Sequence, residues 1–334
     1  DIKRRLKFEG REWTVPVFGA PRDALRLGRR RWDAPKAGEV LVRVKACGAA
    51  LPDLLMTTGV YPLTPVAPVT PGQEVAGEVV AVPTGSAYQP GDRIMGCTTF
   101  TTGAGGYADY SYVTVSRSAL IPDGMSDVDA AGFPVAFRTA YSVLVERVPV
   151  LPGQVVLVLG AAGSSGLAAI KLAKALGATS IAVVSSDEKA EFCTQIGADH
   201  ALNYNAVDLV EEVLRLTGGR GADIIFDPVG GTFCEQAVRA IARFGRLALI
   251  GFASGEWPRL DPLDMVIRNY TAVGVFAGGF TEEEDRAAYA ALSDMVAQGR
   301  LTSAVTRTFA LDDLPDLIQL LQDGAPPGKF VVTT

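Results

Sequence analysis

The sequence predicts an α/β protein in two parts, a barrel-like β domain and a doubly wound parallel sheet. Three observations lead there. The 334 residues exceed one ordinary domain and suit two. The first third reads as short strands punctuated by glycine and proline. From Val155 onward, apolar strands alternate with amphipathic helices, the pattern of a parallel sheet covered on both faces.

Val40–Ala46 alternates apolar and polar residues, as a half-buried strand does. Val75–Val82 repeats that character, and Pro90-Gly91-Asp92 turns the chain into Arg93-Ile94-Met95. A glycine-rich loop over Gly103–Gly106 precedes a strand over Tyr107–Val115. The cluster Arg29-Arg30-Arg31 is read as a solvated loop, because Trp32, Asp33 and Pro35 follow at once. Helices are expected over Asp127–Phe133 and Thr139–Arg147. The alternating region then predicts strands over Val155–Leu159, Ser180–Val184, Asp223–Phe226 and Leu247–Ile250. Its helices are expected over Leu167–Leu176, Glu188–Ile196, Asp208–Leu216 and Phe233–Ala242. Near Val273 the chain leaves this unit, and helices around Glu284–Gln298 and Leu314–Gln322 return it to the first domain.

Composition excludes several classes of function. With 31 basic and 37 acidic residues the net charge is −6, and no basic block offers a nucleic-acid surface. No apolar run is long enough to cross a bilayer, and no signal peptide is read. The chain opens on Asp1 rather than Met, which fits a trimmed polypeptide or a module cut from a longer one. Cys47, Cys97, Cys193 and Cys234 lie far apart and form no CxxC pair, so they are read as reduced thiols in a cytoplasmic protein. The single histidine, His200, rules out a multi-histidine metal site, and any Ser-His-Asp or Cys-His mechanism would have to use it.

The main motif runs Val155-Val156-Leu157-Val158-Leu159-Gly160-Ala161-Ala162-Gly163-Ser164-Ser165-Gly166. A buried strand enters a run of small residues and a helix follows. Such a turn lets the backbone approach a pyrophosphate, and the helix N-terminus supplies free N–H groups. The next strand decides which dinucleotide fits. An acid at its end would hold a free ribose 2′-hydroxyl. Here Ile181–Val184 ends in Ser185 and Ser186, with Lys189 one turn on, a set that suits a 2′-phosphate. Asp187 and Glu188 stand near enough to play the acid's part, but also suit the first turn of a helix. NADPH is the expected cofactor.

Further segments stand in a distinctive order: Val44-Lys45-Ala46-Cys47-Gly48, Pro52-Asp53-Leu54-Leu55 and Gly59-Val60-Tyr61-Pro62. Pro71-Gly72-Gln73-Glu74-Val75-Ala76-Gly77, Gly91-Asp92-Arg93, Gly106-Tyr107-Ala108-Asp109-Tyr110 and Phe133-Pro134-Val135-Ala136 follow. Then come Gly160–Gly166, Asp227-Pro228-Val229-Gly230-Gly231, Val273-Gly274-Val275-Phe276 and Gly328-Lys329. Together they resemble the zinc-free quinone oxidoreductase branch of the medium-chain dehydrogenase/reductase superfamily, over nearly the whole chain. The resemblance implies a GroES-like catalytic domain from residues 1–122 and 277–334 and a Rossmann domain from 123–276. It implies a cofactor in the cleft between them, and homodimers joined through the Rossmann sheets at Thr271–Phe276.

Alcohol dehydrogenases of that superfamily hold catalytic zinc through Cys, His and Cys. The matching positions here are Ala50, Gln73 and Val135, so no metal is expected. Ala50 also replaces a common Asn, and Ala277 a bulky aromatic; both changes enlarge the pocket.

The resemblance also assigns site residues. Tyr61 is the expected proton donor, on a loop facing the cleft, with loop packing as its bland alternative. The loop holding Val229 passes the ribose and nicotinamide, and Asp227 before it is expected to cap a turn. Gly251, Phe252 and Ser254 flank the nicotinamide, and Phe276 follows in the same cleft. Tyr204 stacks near the adenosine phosphate, Lys329 lies near the cofactor and Thr139 contacts the carboxamide. The expected reaction is zinc-free hydride transfer from NADPH to a quinone or other enone. An enoyl-thioester reductase of a polyketide or fatty-acid module stays open, as does a non-catalytic NADPH-binding sensor or structural protein.

Overall fold

A computed structural model describes residues 8–334; residues 1–7, the start of the expected first domain, lie outside the described residues. The chain begins with a hairpin of β1 (Phe8–Thr14) and β2 (Arg26–Trp32), joined through the short helix α1 (Pro21–Ala24). The arginine cluster is therefore strand, not loop. Arg30 reaches Glu12 at 2.6 Å and Arg29 reaches Glu9 at 3.3 Å, so acids on β1 neutralise the basic run on β2.

A barrel follows. Its strands are β3 (Glu39–Ala49), β4 (Glu74–Ala81), β5 (Arg93–Thr98) and β6 (Tyr110–Leu120), with α2 (Leu51–Thr58) between the first two. They pair in that order, and β3 also pairs with β6, which closes the ring. The inward residues Val40, Val42, Val44, Val75, Val79, Ile94 and Val113 are buried, as the period-two pattern requires.

Helices α3 (Asp127–Ala131) and α4 (Pro134–Tyr141) carry the chain across, and a π-helical turn over Ser142–Arg147 ends the crossing. The helix expected from Thr139 thus starts five residues earlier, with Pro134 at a first-turn position where its missing N–H costs nothing.

The second sheet is built from β7 (Val155–Leu159), α5 (Ser164–Ala175), β8 (Thr179–Val184), α6 (Asp187–Gln195) and β9 (His200–Asn203). It continues through α7 (Leu209–Leu216), β10 (Ala222–Asp227), α8 (Gly231–Val238), β11 (Ile241–Leu249), α9 (Pro262–Arg268) and β12 (Thr271–Gly274). All six strands are parallel, in the order β12-β11-β10-β7-β8-β9. Every residue of β7 is buried, as expected of a central strand covered on both faces. Two boundaries differ from expectation. The Phe233–Ala242 helix stops at Val238, because Ile241 pairs with Ala222 as the start of β11. Helix α5 starts at Ser164, ahead of Gly166, since the turn completes by Gly163.

The chain then returns. Helix α10 (Glu282–Ala297) packs on β6 and α4, β13 (Val305–Ala310) follows, and α11 (Leu314–Asp323) leads into β14 (Lys329–Thr333). Strand β14 pairs antiparallel with β3, so the last residues do rejoin the barrel sheet. One hydrophobic cluster joins Ala46, Ala76 and Met95 to Phe137, Val158, Phe226 and Val331, and so welds the two halves together. Among the described residues no helix is long and apolar enough to cross a membrane.

Candidate active site

In the parallel sheet, successive strands step outward in opposite directions from β7 and β10, which lie side by side. Crevices open at the carboxyl ends of strands at such a switch point. Two loops meet there. Gly160 has φ +58°, and a Cβ on it would lie 2.9 Å from Val229 Cγ2. A Cβ on Gly166 would lie 2.6 Å from Ala161 Cα, so helix α5 can sit this close to the turn only with glycine there. Gly163 caps α5 without a side-chain acceptor, which leaves the N–H groups of Ser164, Ser165 and Gly166 facing outward. Ala162 is buried behind them, and its carbonyl accepts from the Gly328 N–H at 3.0 Å.

At the end of β8 the structure brings Ser185, Ser186 and Lys189 together. Lys189 Nζ donates to Ser185 Oγ at 3.3 Å, and Ser186 Oγ accepts from the Lys189 N–H at 3.2 Å. Ser186 is thus the cap of α6, its O–H still free to donate outward. Asp187, the acid weighed as a partner for a ribose hydroxyl, accepts from Asn203 Nδ2 at 2.8 Å. Tyr204 is 37 % exposed and tilts against Phe233 at 4.6 Å between ring centroids. Asn205, which the sequence reading passed over, donates from Nδ2 to the Ser185 carbonyl at 2.9 Å and braces this corner.

The loop after β10 hangs on Asp227. Its Oδ1 accepts from the Val229 and Gly230 N–H groups at 2.9 and 2.8 Å, so it holds a turn. Burial raises its pKa, and Oδ2 has no partner among the described residues. Beside this loop lie Gly251, Phe252 and Ser254. The Ser254 N–H donates to the Val229 carbonyl, and Phe252 packs on Trp257 at 5.0 Å. Phe276 is 55 % exposed just past β12.

The barrel side contributes a second set. The Tyr61 N–H donates to the Leu55 carbonyl, which anchors the loop to α2. Its side chain is half-buried, and burial raises the phenol's pKa, so it stays protonated at neutral pH. Thr139 Oγ1 donates to the Val135 carbonyl at 2.8 Å and keeps its lone pairs for an incoming N–H.

Lys329 is not a solvated terminal lysine. It is 1 % exposed, with Nζ 2.5 Å from Glu74 Oε1 but no well-aligned hydrogen bond. Glu74 Oε2 accepts from the Val135 N–H at 2.7 Å. Asp53 is also buried: Oδ2 accepts from Ala50 N–H at 2.9 Å and Oδ1 from Gly72 N–H at 3.0 Å. Burial pushes its pKa up to about 6 against those bonds and the Lys329 charge. Of the three positions that the sequence resemblance matches to zinc ligands, Ala50 and Val135 donate their backbone N–H groups to the buried acids Asp53 and Glu74, and Gln73 is itself buried; none of the three side chains is a strong zinc donor. Asp53 and Glu74 went unassigned in sequence. Asp53's only local sign was its place three residues after Ala50, where an acid closes a helix N-terminus.

Two family profiles match, "Alcohol dehydrogenase GroES-like domain" over residues 36–123 and "Zinc-binding dehydrogenase" over residues 166–297. A quinone oxidoreductase-like protein 2 homolog of Nematostella vectensis is 31 % identical over 89 % of this chain and 82 % of its own length. The chain belongs to the medium-chain dehydrogenase/reductase superfamily, in its quinone oxidoreductase branch. Quinone oxidoreductase-like protein 2 of Bos taurus is 32 % identical over 88 % of this chain and 85 % of its own. Among solved structures, a probable oxidoreductase from Mycobacterium abscessus shares 32 % identity at TM-score 0.85, covering 98 % of this chain and 99 % of its own. The Escherichia coli quinone oxidoreductase complexed with NADPH shares 26 % at TM-score 0.88, covering 97 % and 100 %. These likenesses put a GroES-like barrel beside a Rossmann sheet, as the sequence resemblance implied.

Proposed function

We propose that this member of the branch is an NADPH-dependent oxidoreductase that delivers hydride to a conjugated carbonyl, a quinone or another enone, without zinc. The observation that carries this reading is the open N-terminus of α5 behind Gly160, together with the Ser185 hydroxyl and Lys189 ammonium that meet just after β8. Tyr61, anchored to α2 through the Leu55 carbonyl and with a raised phenol pKa, is the proton source this reading offers. The NADPH complexes of related structures support the cofactor.

The bound dinucleotide would supply the hydride. The chain's own residues would do the rest. The N–H groups of Ser164, Ser165 and Gly166 receive the pyrophosphate, with the α5 dipole adding attraction. Ser185, Ser186 and Lys189 receive the 2′-phosphate, flanked by Tyr204. Val229, Gly251, Phe252, Ser254 and Phe276 wall the nicotinamide end, and Thr139 accepts from the carboxamide. Lys329, held by Glu74, contributes positive charge at depth rather than a direct contact. Negative charge arriving on an enone spreads over the conjugated system, so a phenol suffices to complete the reduction by donating a proton. Tyr61 is the group proposed to do so.

We also propose a homodimer through the β12 edge. That edge strand has one unpaired side, and the preceding helix α9 exposes Leu263, Val266 and Ile267 at 64, 72 and 69 %. NADPH oxidation measured with a quinone panel, an enone panel and crotonyl-CoA tests the activity. Turnover confined to crotonyl-CoA would make the protein an enoyl-thioester reductase. No turnover with tight NADPH binding would make it a sensor or structural protein.

A further inference from the structure

A cavity of about 390 Å³ lies at the opposite end of α5 from the Gly160 turn. It is lined by Lys171, Lys174 and Ala175 of α5, Ile196 after α6, and Arg300 and Thr302 after α10. Its α5 residues follow Ser164 by seven to eleven positions, roughly 10–17 Å along the helix at the helical rise. It is therefore a different place from the candidate active site.

Its charge is unusual for this molecule. The chain carries −6 overall, and most of its arginines in contact with acids form tight pairs, among them Arg11–Asp109, Arg93–Asp127 and Arg138–Asp285. Lys171, Lys174 and Arg300 have no carboxylate within 4 Å among the described residues. Helix carbonyl ends account for part of the cluster, since Arg300 donates to the Ala175 carbonyl at 2.9 Å. Lys171 donates to Thr302 Oγ1 at 2.8 Å, which holds its ammonium at the pocket wall. Lys174 has no protein hydrogen-bond partner among the described residues. Burial and the neighbouring Lys174 charge both push the Lys171 pKa down, so the repulsion between the two ammoniums is unrelieved. A charge cluster of one sign, a hydroxyl and a concave wall together make a receptor for an anion.

We propose that this cavity binds a small molecule carrying a phosphate or diphosphate group, with Lys171, Lys174 and Arg300 as its cations and Thr302 as a hydroxyl contact. Such a ligand bridges the C-terminal turn of α5 to the segment that leads into β13. Because β13 pairs with β14, and the Gly328 N–H before β14 meets Ala162, that segment is two contacts from the cofactor turn.

Titration calorimetry with inorganic phosphate and with pyrophosphate, each with and without saturating NADPH, tests this. Lys174→Glu is the decisive variant, because Lys174 is exposed and its replacement leaves the core untouched. Lys36→Glu, at an exposed position in another part of the chain, makes the same change in net charge. The expected result is saturable pyrophosphate binding that persists with NADPH present, is weakened about tenfold by Lys174→Glu, and is unchanged in Lys36→Glu. Arg300→Ala should weaken it in the same direction. Equal binding by the wild type and Lys174→Glu, equal weakening in both charge variants, or loss of all binding when NADPH is added would overturn the proposal. Phosphate binding without a gain from the second phosphate would restrict the ligand to monophosphates. Failure of the quinone and enone assays would leave this binding result standing, since none of the three variants touches the Gly160 turn.

Discussion

The Lys329 ammonium lies 2.5 Å from Glu74 Oε1, with the two side chains 1 % and 3 % exposed. Removing one member of a buried ion pair strands the other charge away from water. Lys329→Met should therefore destabilise the fold by about 3 kcal/mol or more, while Lys329→Met with Glu74→Gln should recover a large part of the loss. Urea denaturation of the single and double variants measures both. Additive losses would mean that the two groups are not coupled.

Asp53 makes stability depend on pH in an unusual sense. Burial raises its pKa from 3.8 to about 6. Between those values the folded chain holds the proton more firmly than the unfolded chain, so this group adds stability at low pH. The contribution is lost as pH rises through about 6, on the order of 2–3 kcal/mol in all. Asp53→Asn should remove this falling slope from a plot of unfolding free energy against pH. An identical slope in variant and wild type would show an ordinary, solvated carboxylate.

Lys189 stands at the corner proposed for the 2′-phosphate, its ammonium on Ser185. NADPH should bind about tenfold more tightly than NADH, or about 1.4 kcal/mol. Lys189→Ala should erase most of that preference by weakening NADPH alone. Calorimetry that finds equal affinities in the wild type would reassign the cofactor, with Asp187 freed from Asn203 as the candidate ribose ligand.

Tyr61→Phe separates proton donation from packing. Turnover of an enone should fall by about a hundredfold with NADPH affinity unchanged, because the hydroxyl acts only after hydride arrives. Quinone reduction should fall less, since its reduced oxygen takes a proton from water. Small, equal effects on all substrates would make Tyr61 a packing residue of its loop.

The sequence by itself determined the layered order of strands and helices, the Gly160–Gly166 turn and the serines after β8. These are local properties: a period of two or 3.6, a glycine where a side chain would collide, a missing acid one strand on. Local pattern misread the arginine run, because the acids that neutralise β2 come from β1, across a hairpin. Only the tertiary structure decided that Glu74, Lys329 and Val135 share one buried contact and that Asp53 holds the Ala50 and Gly72 amides. It also drew Lys171 and Lys174 against Arg300 from beyond α10. Burial and electrostatic coupling depend on which distant segments pack together, and that packing is set by closure of the barrel and the weld between the two sheets.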